Sequence, residues 1–82
     1  MKYEVYGTSV CGYCTQAKRL LINQGMEYEY YDISKIDSDF QDDLMKIAGQ
    51  RFRTVPQIFT VSEGNNRRYI GGFTELKEFL LS

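Results

Sequence analysis

Cys11 and Cys14 are the chain's two cysteines, set two residues apart in "TSVCGYCTQAKRLL". A thiolate is the nucleophile of disulfide exchange, and a free cysteine, with a pKa of about 8.5, is only slightly ionised at neutral pH. A helical pattern begins beside the pair: Cys14, Ala17, Leu20 and Leu21 recur at spacings of three and four. Cys11 therefore sits just before a helix, where free N–H groups and the helix dipole favour an anion. In a C-x-x-C such placement can bring the thiol to about 3.5–7.5. Cys14, three residues on, lies on the same face and within disulfide reach. Cys11 can attack a substrate disulfide and Cys14 can resolve the mixed disulfide. The pair reads as a reversible two-electron switch.

Other uses fit less well. A Cys11–Cys14 staple would close a very small loop and remove little chain entropy. Two buried core cysteines are conceivable, but Cys11 precedes the periodic face. A zinc site would have two of its usual four ligands. The chain has no histidine, which excludes a Cys-His pair, C-x-x-C-H haem attachment and any His-containing zinc site. No metal ligand set is expected.

The elements that position the pair follow from the pattern. Residues 2–6, "KYEVY", alternate and read as a strand. "GTSV" turns into the cysteine loop. A helix over 13–24 presents Lys18 and Arg19 outward and ends at Gly25. "MEYEYYDI", 26–33, is a second strand. Ser34 or Asp37 can cap a second helix whose apolar face is Phe40, Leu44, Ile47 and Ala48, ended by Gly49. "QIFTV" and "RRYIG" are strands joined by the turn "SEGNN". A last helix carries Phe73, Leu76, Phe79 and Leu80 on one face. The order β-α-β-α-β-β-α predicts an α/β fold: a four-stranded mixed sheet flanked by three helices, its first two strands parallel.

The 82 residues suit one domain, 1–82, and 43% hydrophobic content supports a core. A net charge of −1 opposes a general nucleic-acid binder. The tyrosines of "YEYYD" and the Arg67–Arg68 pair could face single strands, but strand packing and the interleaved acids account for them better. "DSDFQDD" lacks calcium-loop spacing and reads as a solvated helix start. No apolar run approaches a membrane span, and "MKYEVYG" lacks a signal-peptide core. A cytoplasmic protein, with neither a membrane nor a nucleic-acid partner, is expected.

With these residues in view, the chain resembles a glutaredoxin of the thioredoxin-fold superfamily, similar to dithiol forms of phages and bacteria. The landmarks are "CGYC" at 11–14, "RTVPQIF" at 53–59 and "IGGFTEL" at 70–76. The resemblance implies a thioredoxin-like fold and a glutathione-dependent disulfide oxidoreductase. It also implies a cis Val55–Pro56 bond facing the cysteines. The Val55 backbone N–H and C=O, beside Thr54, would then pair with substrate as a short added strand. Gly72, Phe73 and Thr74 match the site for the γ-glutamyl end of glutathione. Arg53 falls where the family binds the glycine carboxylate, and arginine suits bidentate carboxylate binding. Gln41 falls on a glutathione-contacting glutamine, and Tyr13 would line the groove.

The departures are as specific. Many glutaredoxins carry a lysine three before the first cysteine, and this chain has Thr8. A cation that favours both thiolate and glutathione is missing, with Arg51 or Arg53 as compensation. The family often has an aspartate close behind the paired glycines. Thr74 can hydrogen-bond but not ion-pair an ammonium there. Gly12 stands where proline is common, which loosens the helix start and changes the redox poise. The family implies a monomer acting on glutathione and on client proteins such as ribonucleotide reductase. Two alternatives stay open: a thioredoxin-like carrier reduced by a flavoprotein reductase, and a carrier of a [2Fe–2S] cluster held between two protomers by Cys11 and glutathione thiolates.

Overall fold

The computed structural model describes residues 1–8 and 11–81. Strand β1 is Lys2–Gly7, helix α1 Gly12–Asn23 and β2 Tyr28–Asp32. A 3₁₀ turn, Ile33–Lys35, leads to α2, Ser38–Ala48. Strands β3, Gln57–Ser62, and β4, Asn66–Gly71, precede α3, Phe73–Leu81. The turn expected at 7–10 lies partly outside the described residues, at positions 9 and 10.

The sheet order is β2-β1-β3-β4. β1 runs parallel to β2 and antiparallel to β3, and β3 pairs antiparallel with β4. This is the mixed sheet that the element order predicted. The β3–β4 hairpin turns where Gly64 and Asn65 both take positive φ, +78° and +59°, the conformation that Gly and Asn tolerate at least cost.

Alternation along β1 divides the core between the two faces of the sheet. Tyr3 and Val5 pack with Ala17 and Leu21 of α1, Ile58 of β3 and Leu76 of α3. Tyr6 packs on the other face with Leu44 of α2 and Phe59. That second face also holds charge. Glu4 is 3% exposed. It accepts from Tyr6 Oη at 2.7 Å, and from Arg67 Nε and Nη2 at 2.8 and 3.3 Å. The guanidinium lies over the Phe40 ring at 5.1 Å. Such pairing is what a buried carboxylate requires.

Two packing expectations change. Ile47 is exposed, because Phe40, Leu44 and Ala48, four residues apart, form the stripe and Ile47 falls at its edge. Phe79 lies at the rim, half exposed, and meets Tyr3 edge-on at 6.4 Å. Asp37 takes the N-cap position of α2, without a side-chain capping bond. Asp32 caps the 3₁₀ turn instead, accepting from Ser34 N at 2.9 Å. Among the described residues, no helix is long and apolar enough to cross a membrane.

Candidate active site

β1 delivers the chain to α1, and Cys11 is the N-cap of that helix, in extended backbone conformation. Its Sγ accepts from the Cys14 amide at 3.1 Å. The sulfur thus stands in for the capping oxygen that Ser or Asp would supply. An amide and the N-terminal end of the helix are aimed at one sulfur. The protonated thiol points to the Val55 carbonyl, 3.5 Å away. Both cysteines are free thiols.

Cys14 is buried, 1% exposed, between α1 and the sheet. Burial first, and then its hydrogen bond with Cys11, push the Cys14 thiol up to about 11. At neutral pH it keeps its proton. A Cβ on Gly7 would overlap Cys14 Sγ and come within 3.3 Å of the Tyr30 ring. Glycine at the end of β1 is therefore what admits the sulfur. Lys18 does not face outward as expected: its Nζ lies 4.3 Å from the Tyr30 ring centroid, where its charge favours a Cys14 thiolate.

The Val55–Pro56 peptide is cis. Thr54 and Val55 separate two hollows and line both. One, of about 490 Å³, also takes in Gln41, Arg51 and Arg53. The other, of about 390 Å³, takes in Tyr13, Pro56, Gly72, Phe73, Thr74 and Glu75. All nine residues expected to contact a ligand thus line a two-part trough beside the helix that Cys11 caps. Tyr13 stacks near Phe73, ring centroids 6.1 Å apart, and is 61% exposed. Gln41 also braces the fold. Its Nε2 donates to the carbonyls of Ile33 and Ile36 at 3.0 and 3.3 Å, tying α2 to the preceding turn.

Sequence reasoning missed Glu75. Its Oε1 accepts from Gly72 N at 2.7 Å, half of a capping box at the start of α3. An acid three residues after the glycine that precedes the helix was the available signal. The carboxylate lines the hollow beside Thr74, so negative charge stands at this end and Arg51 and Arg53 stand at the other. Gly71 has φ +128°, and a Cβ there would lie 2.7 Å from Glu75 Cγ. The first of the paired glycines is thus needed for backbone reasons.

The chain is similar to known proteins. The family model Glutaredoxin matches residues 3–63. The chain is 36% identical over 80 residues to Glutaredoxin 1 of Escherichia coli K12, covering 92% of this chain and 87% of that protein. It is 36% identical over 73 residues to mitochondrial Glutaredoxin-2 of Bos taurus, covering 87% of this chain but only 42% of that longer protein. The crystal structure of a buckwheat glutaredoxin–glutathione complex superposes with a TM-score of 0.67 at 32% identity, over 93% of this chain and 64% of that one. The fold is thioredoxin-like, and the chain belongs to the glutaredoxin family.

Proposed function

We propose that the protein is a thiol–disulfide oxidoreductase that takes electrons from glutathione and reduces mixed disulfides between glutathione and proteins. The observation that carries this reading is the placement of Cys11 Sγ, at a helix N-terminus, 3.1 Å from the Cys14 amide and 3.5 Å from the Val55 carbonyl. The Cys11 thiolate attacks the glutathione sulfur of the substrate. The substrate S–S bond breaks, the client thiolate leaves and takes a proton, and a Cys11–glutathione disulfide remains. A second glutathione thiolate then attacks that glutathione sulfur. Oxidised glutathione departs and the Cys11 thiolate returns.

Cys14 offers the other exit. Its thiolate attacks Cys11 Sγ, glutathione leaves as thiolate, and a Cys11–Cys14 disulfide forms. Cys14 must first lose its proton. With Cys11 bound covalently, the hydrogen bond and charge that raised the Cys14 thiol are gone, and only burial still opposes ionisation. Loss of the Cys11 proton also frees the Val55 carbonyl to accept from substrate backbone.

The trough supports glutathione as the ligand. Arg53 and Arg51 suit a carboxylate at one end. At the other, Phe73 and Thr74 offer helix-start amides, and Glu75, whose Oε1 is already held by Gly72 N, offers a partner for an ammonium group. Glu75 supplies the charge that Thr74 lacks. Disulfide-bearing proteins such as ribonucleotide reductase are the proposed clients. A [2Fe–2S] cluster needs four thiolates. One chain offers Cys11 alone, because Cys14 is sealed beneath Gly7, so a cluster would require a second copy and outside thiols.

The test is steady-state turnover of a glutathionylated peptide by the wild type, Cys11→Ser and Cys14→Ser. Cys11→Ser abolishes turnover, and Cys14→Ser retains a substantial part through the glutathione exit. Equal activity of Cys11→Ser and wild type would overturn the reading. Turnover with thioredoxin reductase in place of glutathione would move the electron source to a flavoprotein.

A further inference from the structure

Beside the arginine end of the trough, where Gln50 and Gln57 line a hollow with Arg51, Arg53 and Thr54, three side chains make a directional hydrogen-bond chain across four parts of the fold. Gln50 Nε2 donates to Tyr69 Oη at 2.9 Å. Tyr69 Oη donates to Gln57 Oε1 at 2.6 Å. Gln57 Nε2 donates to the Thr54 carbonyl at 2.8 Å. Gln50 is placed by the end of α2, where Gly49 turns left-handed at φ +74° and the Gln50 amide donates back to Met45 O at 3.2 Å. Tyr69 belongs to β4 and Gln57 to the first position of β3. The chain ends on the residue before Val55.

Each donor has one acceptor, and the sequence of donors fixes the orientation of every amide. The Thr54 carbonyl can only accept, so Gln57 must present its nitrogen there and its oxygen to Tyr69. Tyr69 must then donate inward and accept from Gln50. Burial holds the Tyr69 phenol above its ordinary value, so it remains a donor at neutral pH. Gln57 is 4% exposed. A buried amide left with half its bonds costs more than those bonds are worth when made, so the members stand or fall together.

We infer that Gln57, Tyr69 and Gln50 are positioning residues for substrate: they hold the Thr54 carbonyl on the Gln57 amide and so fix the Thr54–Val55 backbone in the orientation that a substrate strand must meet. They touch neither sulfur. Their contribution therefore lies in binding and not in the chemistry of Cys11. The inference rests on the reading of this site as one that binds substrate along Val55.

The experiment is steady-state kinetics with a glutathionylated peptide on the wild type, Tyr69→Phe and Gln57→Met. Alkylation of Cys11 by iodoacetamide, a reagent too small to need the Val55 backbone, is measured in parallel. Tyr69→Phe removes one oxygen and keeps the ring packed on Phe59, so it tests the bond without opening the core. The expected result is a KM raised about five- to ten-fold in either variant, the worth of one neutral hydrogen bond. Meanwhile kcat and the alkylation rate stay within about two-fold of wild type. The double variant is no worse than the poorer single, because the chain is already broken. An unchanged KM in Tyr69→Phe overturns the inference. So does a fall of kcat and alkylation together, which would mark general loosening. If the wild type does not turn over the peptide, the underlying reading fails. Positioning is then read from the carbonyl carbon chemical shift of Thr54, moved in Tyr69→Phe if the inference holds and unchanged if it does not.

Discussion

On one face of the sheet, Val5, Leu21, Ile58 and Leu76 pack with complete burial and place α1, and with it both sulfurs. On the other, Glu4 with Arg67 and Gln57 with Tyr69 are held by aimed hydrogen bonds, and the second pair leads to the Thr54–Val55 loop. The nucleophile needs only to be carried on a rigid helix whose end does the chemistry. Non-directional packing suffices for that. A backbone edge that pairs with substrate must be held in angle as well as position, and packing alone does not fix the rotation of a peptide plane. The two faces thus divide placement from orientation.

The strongest way to break this contrast is Arg67→Met, which leaves Glu4 buried beside Tyr6 alone. The expected loss is about 4 kcal/mol by urea unfolding. The double variant Glu4→Met/Arg67→Met should recover most of it, because an apolar pair of similar volume removes the orphaned charge. No recovery would mean that the ion pair itself, and not its breaking, carries the stability. On the packed face, Leu21→Ala should cost about 3 kcal/mol. The folded fraction should keep the wild-type KM. A raised KM would show that the packed face also sets substrate orientation.

The third test is alkaline unfolding. In the folded protein the Cys14 thiol is raised from its ordinary range, about 8.5–9, to about 11 by burial and by Cys11. The folded state therefore holds that proton where the unfolded chain releases it. The stabilisation is complete below pH 9 and is lost as pH rises to 11, on the order of 2 kcal/mol. Burial likewise raises Tyr3 and Tyr69, and burial with the bond to Glu4 raises Tyr6. Their losses follow at higher pH. Cys14→Ala should flatten the 9–11 segment of the stability curve, and an unaltered slope would remove Cys14 as its source. The smallest effect is expected at the Lys2–Glu29 pair, whose groups are both well exposed. Lys2→Met should change stability by less than about 1 kcal/mol.

How much of this is legible in the sequence follows the range of the interactions. Strand alternation and helix spacing are local, so all seven main elements and both halves of the core can be read. The cysteine switch is legible because its parts lie within four residues. The hydrogen-bond chain is not, since Gln50, Gln57 and Tyr69 meet only through the β3–β4 register, which slips between Ile58 and Phe59. Lys18 reads as solvent-facing because helix periodicity sees only its own helix, whereas Tyr30 comes from β2. Ile47 reads as core for the same reason: an apolar type at a plausible spacing does not say where the stripe ends. Glu75 reads as an ordinary helical acid, although its place three after Gly72, the residue before the helix, is the clue.

Gly7 and Cys14 form a complementary pair of volumes, a missing side chain opposite a buried sulfur. The thiol is therefore masonry as well as reagent. A single-thiol descendant with alanine at 14 would leave a void about one sulfur atom in size at the head of the sheet. The worst clash of Gly7→Ala disappears with the sulfur, although its Cβ would still meet the Cβ of residue 14 at 3.2 Å and the Tyr30 ring at 3.3 Å, so the substitution becomes less harmful once position 14 is small. Conversion from two-thiol to one-thiol chemistry would thus relax the demand for glycine in the strand, seven residues before the lost sulfur.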